Sequence, residues 1–392
     1  MEIRKLVAND YDALLKLLNF TFANKYDHPM DFLTEQPKMW VRDDKHMSYH
    51  IGVFDEDVLC AVVGIYPLPV VIGGEKITLY TTGNVATHPD YEGRGYFTML
   101  FNEVMKELDR LGADGARLGG ARQRYGRYGF EPSGSLIQFS MTEKNRIQGF
   151  KNPGEDIVFN EISLNDLKWL QYCNRLTKES EFYVDRSEED GCLDVYLALG
   201  SKHSTPYIAL RGGKPIGYLS AMNKENYIGK SDHGNQVLEW RVENPDDAVA
   251  LICAWQREVG RTVDFAVAPY DLANIRLFGK ECESSLLKTP SSFKILSYDK
   301  LANALLKLKA STVNLPEIEY VMGIEGWGNL LISTGKEPYC ARTDRRADIT
   351  VTKSEATRIL FGHLHSSTVK ELPWEIGALL PLPLTWNTLD YV

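Results

Sequence analysis

The sequence predicts an α/β (α+β) fold in three units, residues 1–148, 149–292 and 293–392, with mixed, mostly antiparallel sheets packed on helices. Three observations predict it. Short apolar runs bounded by Gly-Gly or acidic turns alternate with helices whose apolar residues recur every three and four positions. The order helix, meander, helix occurs twice, first from Asn9 through Leu108 and again from Ser163 through Val259. After Phe293 the composition shifts to a leucine-rich helix followed by short strands.

In the first unit, Asn9 caps a helix whose Tyr11, Leu14, Leu15, Leu18 and Phe22 share one face and which ends near Lys25. From Tyr26 through Trp40 polar and aromatic residues mix, a pattern of loop or short helices over a cleft. Strands are expected from His50 to Phe54 and from Val58 to Val63, around the acidic turn Asp55-Glu56-Asp57. A third, Leu68 to Ile72, turns at Gly73-Gly74 into Lys76 to Val85.

That strand runs into Asn84-Val85-Ala86-Thr87-His88-Pro89-Asp90-Tyr91-Glu92-Gly93-Arg94-Gly95-Tyr96-Phe97. An amphipathic helix follows, with Phe97, Leu100, Phe101, Val104 and Leu108 on one face. Gly93 and Gly95 can take positive φ and leave no side chain in the way, so backbone N–H groups can point at an anion on the helix N-terminus. A plain strand-to-helix turn would look the same. Then come a short strand, Ala116 to Ala121, and the string Arg124-Tyr125-Gly126-Arg127-Tyr128-Gly129-Phe130.

The second unit repeats the plan without the glycines. Ser163 caps a helix carrying Leu164, Leu167, Leu170 and Leu176; strands Tyr207 to Leu210 and Ile216 to Met222 flank Gly212-Gly213; Val237 to Val242 leads into Asn244-Pro245-Asp246-Asp247 and a helix through Val259. Two carboxylates at a helix start suit the dipole and repel a phosphate, so this copy is expected to be structural. In the third unit a helix opening at Asp299 presents Leu301, Ala304, Leu305 and Leu308. Strands Ile318 to Ile324, Asn329 to Ser333 and Ile349 to Val351 and a helix from Ser354 through Phe361 follow. The proline-stiffened end, with Trp386, Leu389 and Tyr391, is expected to dock on the protein.

A formal charge of −9 argues against a nucleic-acid partner; it suits a cationic substrate or simply keeps the protein soluble. No run approaches the ~18 apolar residues of a membrane span and no signal peptide is evident, so no membrane partner and a cytoplasmic location are expected. The six cysteines are scattered without metal-ligand spacing, which implies reduced thiols and no metal.

The order strand, Val85-x-Thr87-x-Pro89-x-Tyr91, Gly-x-Gly, helix, strand, Tyr125-x-x-x-Gly129-Phe130 resembles the GCN5-related N-acetyltransferases (GNAT), and within them the enhanced intracellular survival (Eis) type. Glu92 stands where that family usually has Arg or Gln, and Phe97 where it has a small residue. The resemblance implies tandem GNAT-like domains, the second without a cofactor site, and a C-terminal sterol-carrier-protein-like domain, read here as a packing module. It implies acetyl-CoA as co-substrate, its diphosphate on the main chain of Gly93, Arg94, Gly95, Tyr96, Phe97 and Thr98 and its pantetheine along Val85, Ala86 and Thr87. It also implies an aminoglycoside-like or polyamine-like small amine, or a lysine side chain, as acceptor, and a homo-oligomer, a hexamer. A CoA-binding sensor without transfer activity is the alternative.

Tyr125 is the expected general acid, by resemblance and because a phenol of pKa about 10 is protonated at neutral pH; packing under Phe130 is its structural alternative. The Val392 carboxylate is implied as the group that orients the amine or relays its proton through water. His88 is a second candidate base, or a turn residue facing solvent. Asp27, Asp31, Glu35 and Trp40 are candidates for holding a cationic amine, or a solvated surface. Arg117, Arg122, Arg124 and Arg127 are expected as a basic patch in which Arg122 or Arg124 contacts phosphate or faces acidic neighbours.

Overall fold

The computed structural model describes residues 1–27, 29–186, 191–222 and 236–390. Its first sheet runs in the order Glu2–Lys5, His50–Asp55, Val58–Ile72, Glu75–Thr87, Gly115–Leu118, Ser291–Ile295, Glu131–Ser133. The second runs Ile157–Glu161, Ser204–Arg211, Lys214–Met222, Gln236–Val242, Val263–Val267, Leu136–Met141, Ser285–Lys288. Position by position the two orders correspond. In each, one parallel pair, Glu75–Thr87 with Gly115–Leu118 and Gln236–Val242 with Val263–Val267, is bridged by a helix, Tyr96–Arg110 or Ala248–Val259. The duplication read from the pattern is therefore present in the topology.

The sheets do not follow the expected cuts at 148/149 and 292/293. Leu136–Met141, before the first cut, lies in the second sheet between Val263–Val267 and Ser285–Lys288. Ser291–Ile295, across the second cut, lies in the first sheet between Gly115–Leu118 and Glu131–Ser133. Each unit thus lends the other its sixth strand. A period-two pattern says that a segment is a strand and which face is apolar; it carries no information about which of two sheets it joins.

The expected strands Val58 to Val63 and Leu68 to Ile72 are one strand, Val58–Ile72, paired along most of its length with Glu75–Thr87 around Gly73 and Gly74, both at positive φ. The far end of this hairpin reaches into the third unit. Leu68, Val70, Ile72, Ile77 and Leu79 share one apolar core with Leu301, Leu305 and Leu308 of helix Tyr298–Thr312, with Ile324 and Ile332 of its sheet, and with Trp386. That third sheet has the order Tyr339–Thr343, Gly328–Ser333, Glu319–Ile324, Ile349–Val351. Strand Phe182–Val184 of the second unit pairs with Val70, Val71 and Ile72 and joins the same core.

The C-terminal segment docks as expected. Trp386 and Leu389 are buried, Leu389 in a core of the second unit beside Leu170, Val195 and Tyr218; Tyr391 lies outside the described residues. Among the described residues no helix is long and apolar enough to cross a membrane.

Candidate active site

Glu75–Thr87 and Gly115–Leu118 pair in parallel from Leu79 with Gly115 to Thr82 with Leu118, and there the pairing stops. Among the described residues, from Gly83 on, Glu75–Thr87 keeps a strand partner only on its Val58–Ile72 side. At the same point it bulges: Gly83 lies opposite Gly64 and Ala86 opposite Val62, so Asn84 and Val85 face one residue, and Asn84 sits at φ 52. The bulge opens a wedge between the strands and presents an unpaired backbone edge to it.

A polar chain under the bulge holds it in place. Asn84 Nδ2 donates to Tyr66 Oη at 2.7 Å and to Gln36 Oε1 at 3.2 Å. With Asn84 donating, the Tyr66 hydroxyl is left to donate to His50 Nε2 (2.8 Å), and His50 Nδ1–H to donate to the Met47 carbonyl oxygen (3.3 Å). His50 is therefore neutral, and burial pushes its pKa down to about 4. The unfolded chain then binds the extra proton between the ordinary pKa of 6.5 and about 4, so stability falls as pH drops through that window. The loss expected from this group is about 3 kcal/mol. About 2 kcal/mol of it falls between pH 6.5 and 4.5, where urea denaturation measures it; an equally steep fall in His50→Gln would remove His50 as its source.

The wedge opens into a cleft of about 450 Å³. Thr82, Gly83, Asn84 and Val85 form one wall and Leu118, Gly119, Gly120, Ala121, Arg124 and Tyr125 another. The first helix and the segment after it add Phe22, Lys25, Tyr26, Met30, Phe32, Glu35 and Gln36, and the second unit adds Lys202. Tyr125 is buried, packed on Phe97 and Phe101 with ring centroids 5.9 and 5.2 Å away. Burial raises its pKa, and the neighbouring Arg124 opposes that rise. Gly120, at φ 140, lets the ring come close, since a Cβ there would stand 2.5 Å from Tyr125 Cε2.

Gly93 and Gly95 take φ of 77 and 79, and a Cβ on either would meet nothing within 4 Å. Gly95 caps helix Tyr96–Arg110, whose first turn has neither a side-chain cap nor an acidic residue, so its N–H groups stay available to an anion. This corner suits a diphosphate, and the unpaired edge of Gly83 to Thr87 suits an amide-bearing arm. Among the described residues no cluster of His, Cys, Asp and Glu could hold a metal. Tyr96 is buried in the core, Phe97 turns onto Phe101, Thr98 Oγ1 accepts from Arg127 Nη2 at 3.3 Å, and Arg94 pairs with Asp55 at 3.6 Å.

Several expected site residues lie elsewhere. Trp40 is buried in the core, its indole N–H on the Phe32 carbonyl oxygen and its ring 5.9 Å from that of Phe32. Asp27 is exposed at the left-handed end of helix Tyr11–Tyr26, and Asp31 caps helix Phe32–Glu35 through the Leu33 N–H. His88 stacks on Phe20 and accepts from the Asp90 N–H, off the cleft wall. The four arginines do not form one patch. Arg117 is buried, donating to Thr81 and Ser291; Arg122 is held by Glu131 at 2.8 and 3.2 Å; Arg124 and Arg127 lie against Phe97. Val392 lies outside the described residues.

Of the four amine-binding candidates, Glu35 lines the cleft, and it is clamped from the second unit. His203 Nε2 lies 2.8 Å and Lys202 Nζ 3.2 Å from its carboxylate. Burial pushes the Glu35 carboxyl up, but the two partners outweigh it and hold the pKa at about 2. Lys202 and His203 both sit at left-handed φ, 62 and 55, a conformation that costs about 1–2 kcal/mol per residue and persists only where surrounding contacts hold it.

The Acetyltransferase (GNAT) domain family matches residues 2–133. A search of the curated proteins found no match. Among solved structures, a GCN5-related N-acetyltransferase from Kribbella flavida is 16% identical at TM-score 0.65, over 100% of this chain and 98% of that one. Another from Anabaena variabilis is 12% identical at TM-score 0.67, over the whole of both chains. Eis1 from Mycobacterium abscessus is 14% identical at TM-score 0.64, over 99% of this chain and 98% of its own. At these identities the likeness is one of fold, and it extends along the full length. Residues 2–133 thus match a GNAT acetyltransferase domain, and that match is what supports reading the chain as an acyltransferase.

Proposed function

We propose that the chain is an acetyl-CoA-dependent N-acetyltransferase acting on a primary amine of a small molecule or of a lysine side chain, with residues 1–148 as the unit that carries the site. The observation that carries this reading is the meeting, on one cleft, of the unpaired edge beyond Thr82 and the side chain of Tyr125, whose ring packs on Phe97 of the helix that the glycine corner opens. Acetyl-CoA, when bound, supplies an activated acetyl group as a thioester. The main chain of Gly93 to Thr98 holds its diphosphate, and the edge of Val85, Ala86 and Thr87 takes its amide-bearing arm as an added strand. Orientation of the two reactants then does much of the work. Tyr125, kept protonated by burial, gives a proton to the departing sulfur.

The test begins with the cradle. Gly95→Val places a branched side chain where the anion approaches; its Cβ meets nothing within 4 Å, so the main cost to folding is the strain of left-handed φ, at least about 1–2 kcal/mol. Calorimetry is expected to give an acetyl-CoA affinity lower by about 100-fold, roughly 2.7 kcal/mol. Unchanged affinity in a folded variant, or the absence of CoA release from the wild type with a broad panel of amines, counts against the reading.

A further inference from the structure

The charge of the cleft wall is opposite to what a polycationic acceptor needs. Its described lining residues include three cations, Lys25, Arg124 and Lys202, and one carboxylate, Glu35. That carboxylate is already taken by Lys202 and His203. Lys25 lies against the rings of Phe22 and Tyr26, and Arg124 against Phe97; among the described residues neither has a carboxylate partner. Around the charges the wall is aromatic and apolar, with Phe22, Phe32 and Met30. Such a wall repels a second ammonium and attracts a carboxylate or phosphate, with interactions stronger in a partly desolvated cleft than in water.

It also bears on how the bound amine becomes reactive. An amine must be neutral to attack a carbonyl, and nearby positive charge lowers the pKa of an ammonium. The same three cations therefore favour the reactive form of the bound amine.

We propose that the acceptor is a primary amine that also carries an anionic group, a carboxylate or a phosphate, and that Lys202, delivered by the second unit's left-handed turn, selects it. This rests on the N-acetyltransferase reading above. It gives the second unit, whose own helix start has no glycine cradle, a part in the site of the first. Glu35 then serves to hold the Lys202-His203 turn in place and not to bind the amine.

The test compares four amines with acetyl-CoA saturating: γ-aminobutyrate, O-phosphoethanolamine, n-butylamine and spermidine. At least one anionic amine is expected to exceed both others in kcat/KM by about tenfold or more, the worth of one charge-assisted contact. Which of the two leads identifies carboxylate or phosphate as the group recognised. Lys202→Ala is expected to collapse that ratio toward one, and Lys202→Arg to restore it. Preference for spermidine, or a ratio unmoved by Lys202→Ala, overturns the inference while leaving N-acetyl transfer intact. Calorimetry of the same amines against the CoA-loaded protein reads the preference without turnover. If none is acetylated, tighter binding of an anionic amine upholds the charge selectivity and indicts the transferase reading; equal binding, or tighter binding of spermidine, overturns the selectivity.

Discussion

Tyr125→Phe is expected to lower kcat by about 100- to 10,000-fold, the range a positioned general acid contributes, with acetyl-CoA affinity held within about twofold. The change is a narrow one. The ring keeps its contacts with Phe97 and Phe101 and its fit over Gly120, so only the hydroxyl is lost. Because burial raises the phenol above its ordinary 10.0, the acid stays protonated through the neutral range, and kcat in the wild type should show no alkaline fall below about pH 10. The group that must be protonated is lost only as pH climbs past its own pKa. Steady-state kcat and calorimetric Kd together decide the matter. A variant within threefold of wild type in kcat would leave Tyr125 as a packing residue, and a loss confined to Kd would move its role to binding.

How far this site was legible in the sequence differs residue by residue. Gly93 and Gly95 stand out because local chemistry marks them, two glycines before an amphipathic helix, whereas Tyr125 is legible through the Tyr125-x-x-x-Gly129-Phe130 resemblance. The hairpin at Gly73-Gly74 and the repeat of strand order were legible for the same reason as the glycines. Pro67, in the gap between the two expected strands, hid the continuity of Val58–Ile72, since proline within a run argues against a strand. Pro69 is tolerated because its backbone faces away from Glu75–Thr87, its carbonyl oxygen accepting from the Asp185 N–H at 2.8 Å. Lys202 gave no signal at all. It is 167 residues from Glu35, and its place on the cleft depends on a left-handed turn that no local pattern announces. The pull of acidic residues near the expected cleft misled in the same way, because Asp27 and Asp31 are spent on a helix end and a cap.

The largest stability loss is expected from Arg186→Met, about 3–5 kcal/mol. Arg186 is buried and donates to Glu239 through two nitrogens, at 3.0 and 2.6 Å, and to Asp390 at 2.9 and 3.1 Å. Glu239 also accepts from Tyr218 and Asn387, both at 2.6 Å. Burial pushes the Glu239 carboxyl up, and Arg186 outweighs it, holding the pKa at about 2. Removing the guanidinium leaves two buried carboxylates without the cation that bridges them, with only Arg241 acting on Glu239 and Lys38 on Asp390 from farther off. It also frees the segment that carries Trp386 and Leu389, whose carbonyl oxygen otherwise accepts from Lys38 Nζ at 2.7 Å. The sign of the pH response separates charge from packing. In the wild type the triad's contribution is present above the unfolded carboxylate pKa, roughly 4.3 for Glu, and fades as pH falls toward about 2. In the variant the buried Glu239 carboxyl loses the Arg186 charge that held it down and is raised, so stability falls as pH rises through its pKa, and the gap from wild type widens between pH 4 and 7. Urea denaturation at pH 4.5 and 7 reads both. Combining Arg186→Met with Glu239→Gln and Asp390→Asn should recover part of the loss, because the desolvated charges go with the arginine. A pH-independent gap, or a triple variant no better than the single one, would make lost packing and not uncompensated charge the reason the segment lets go.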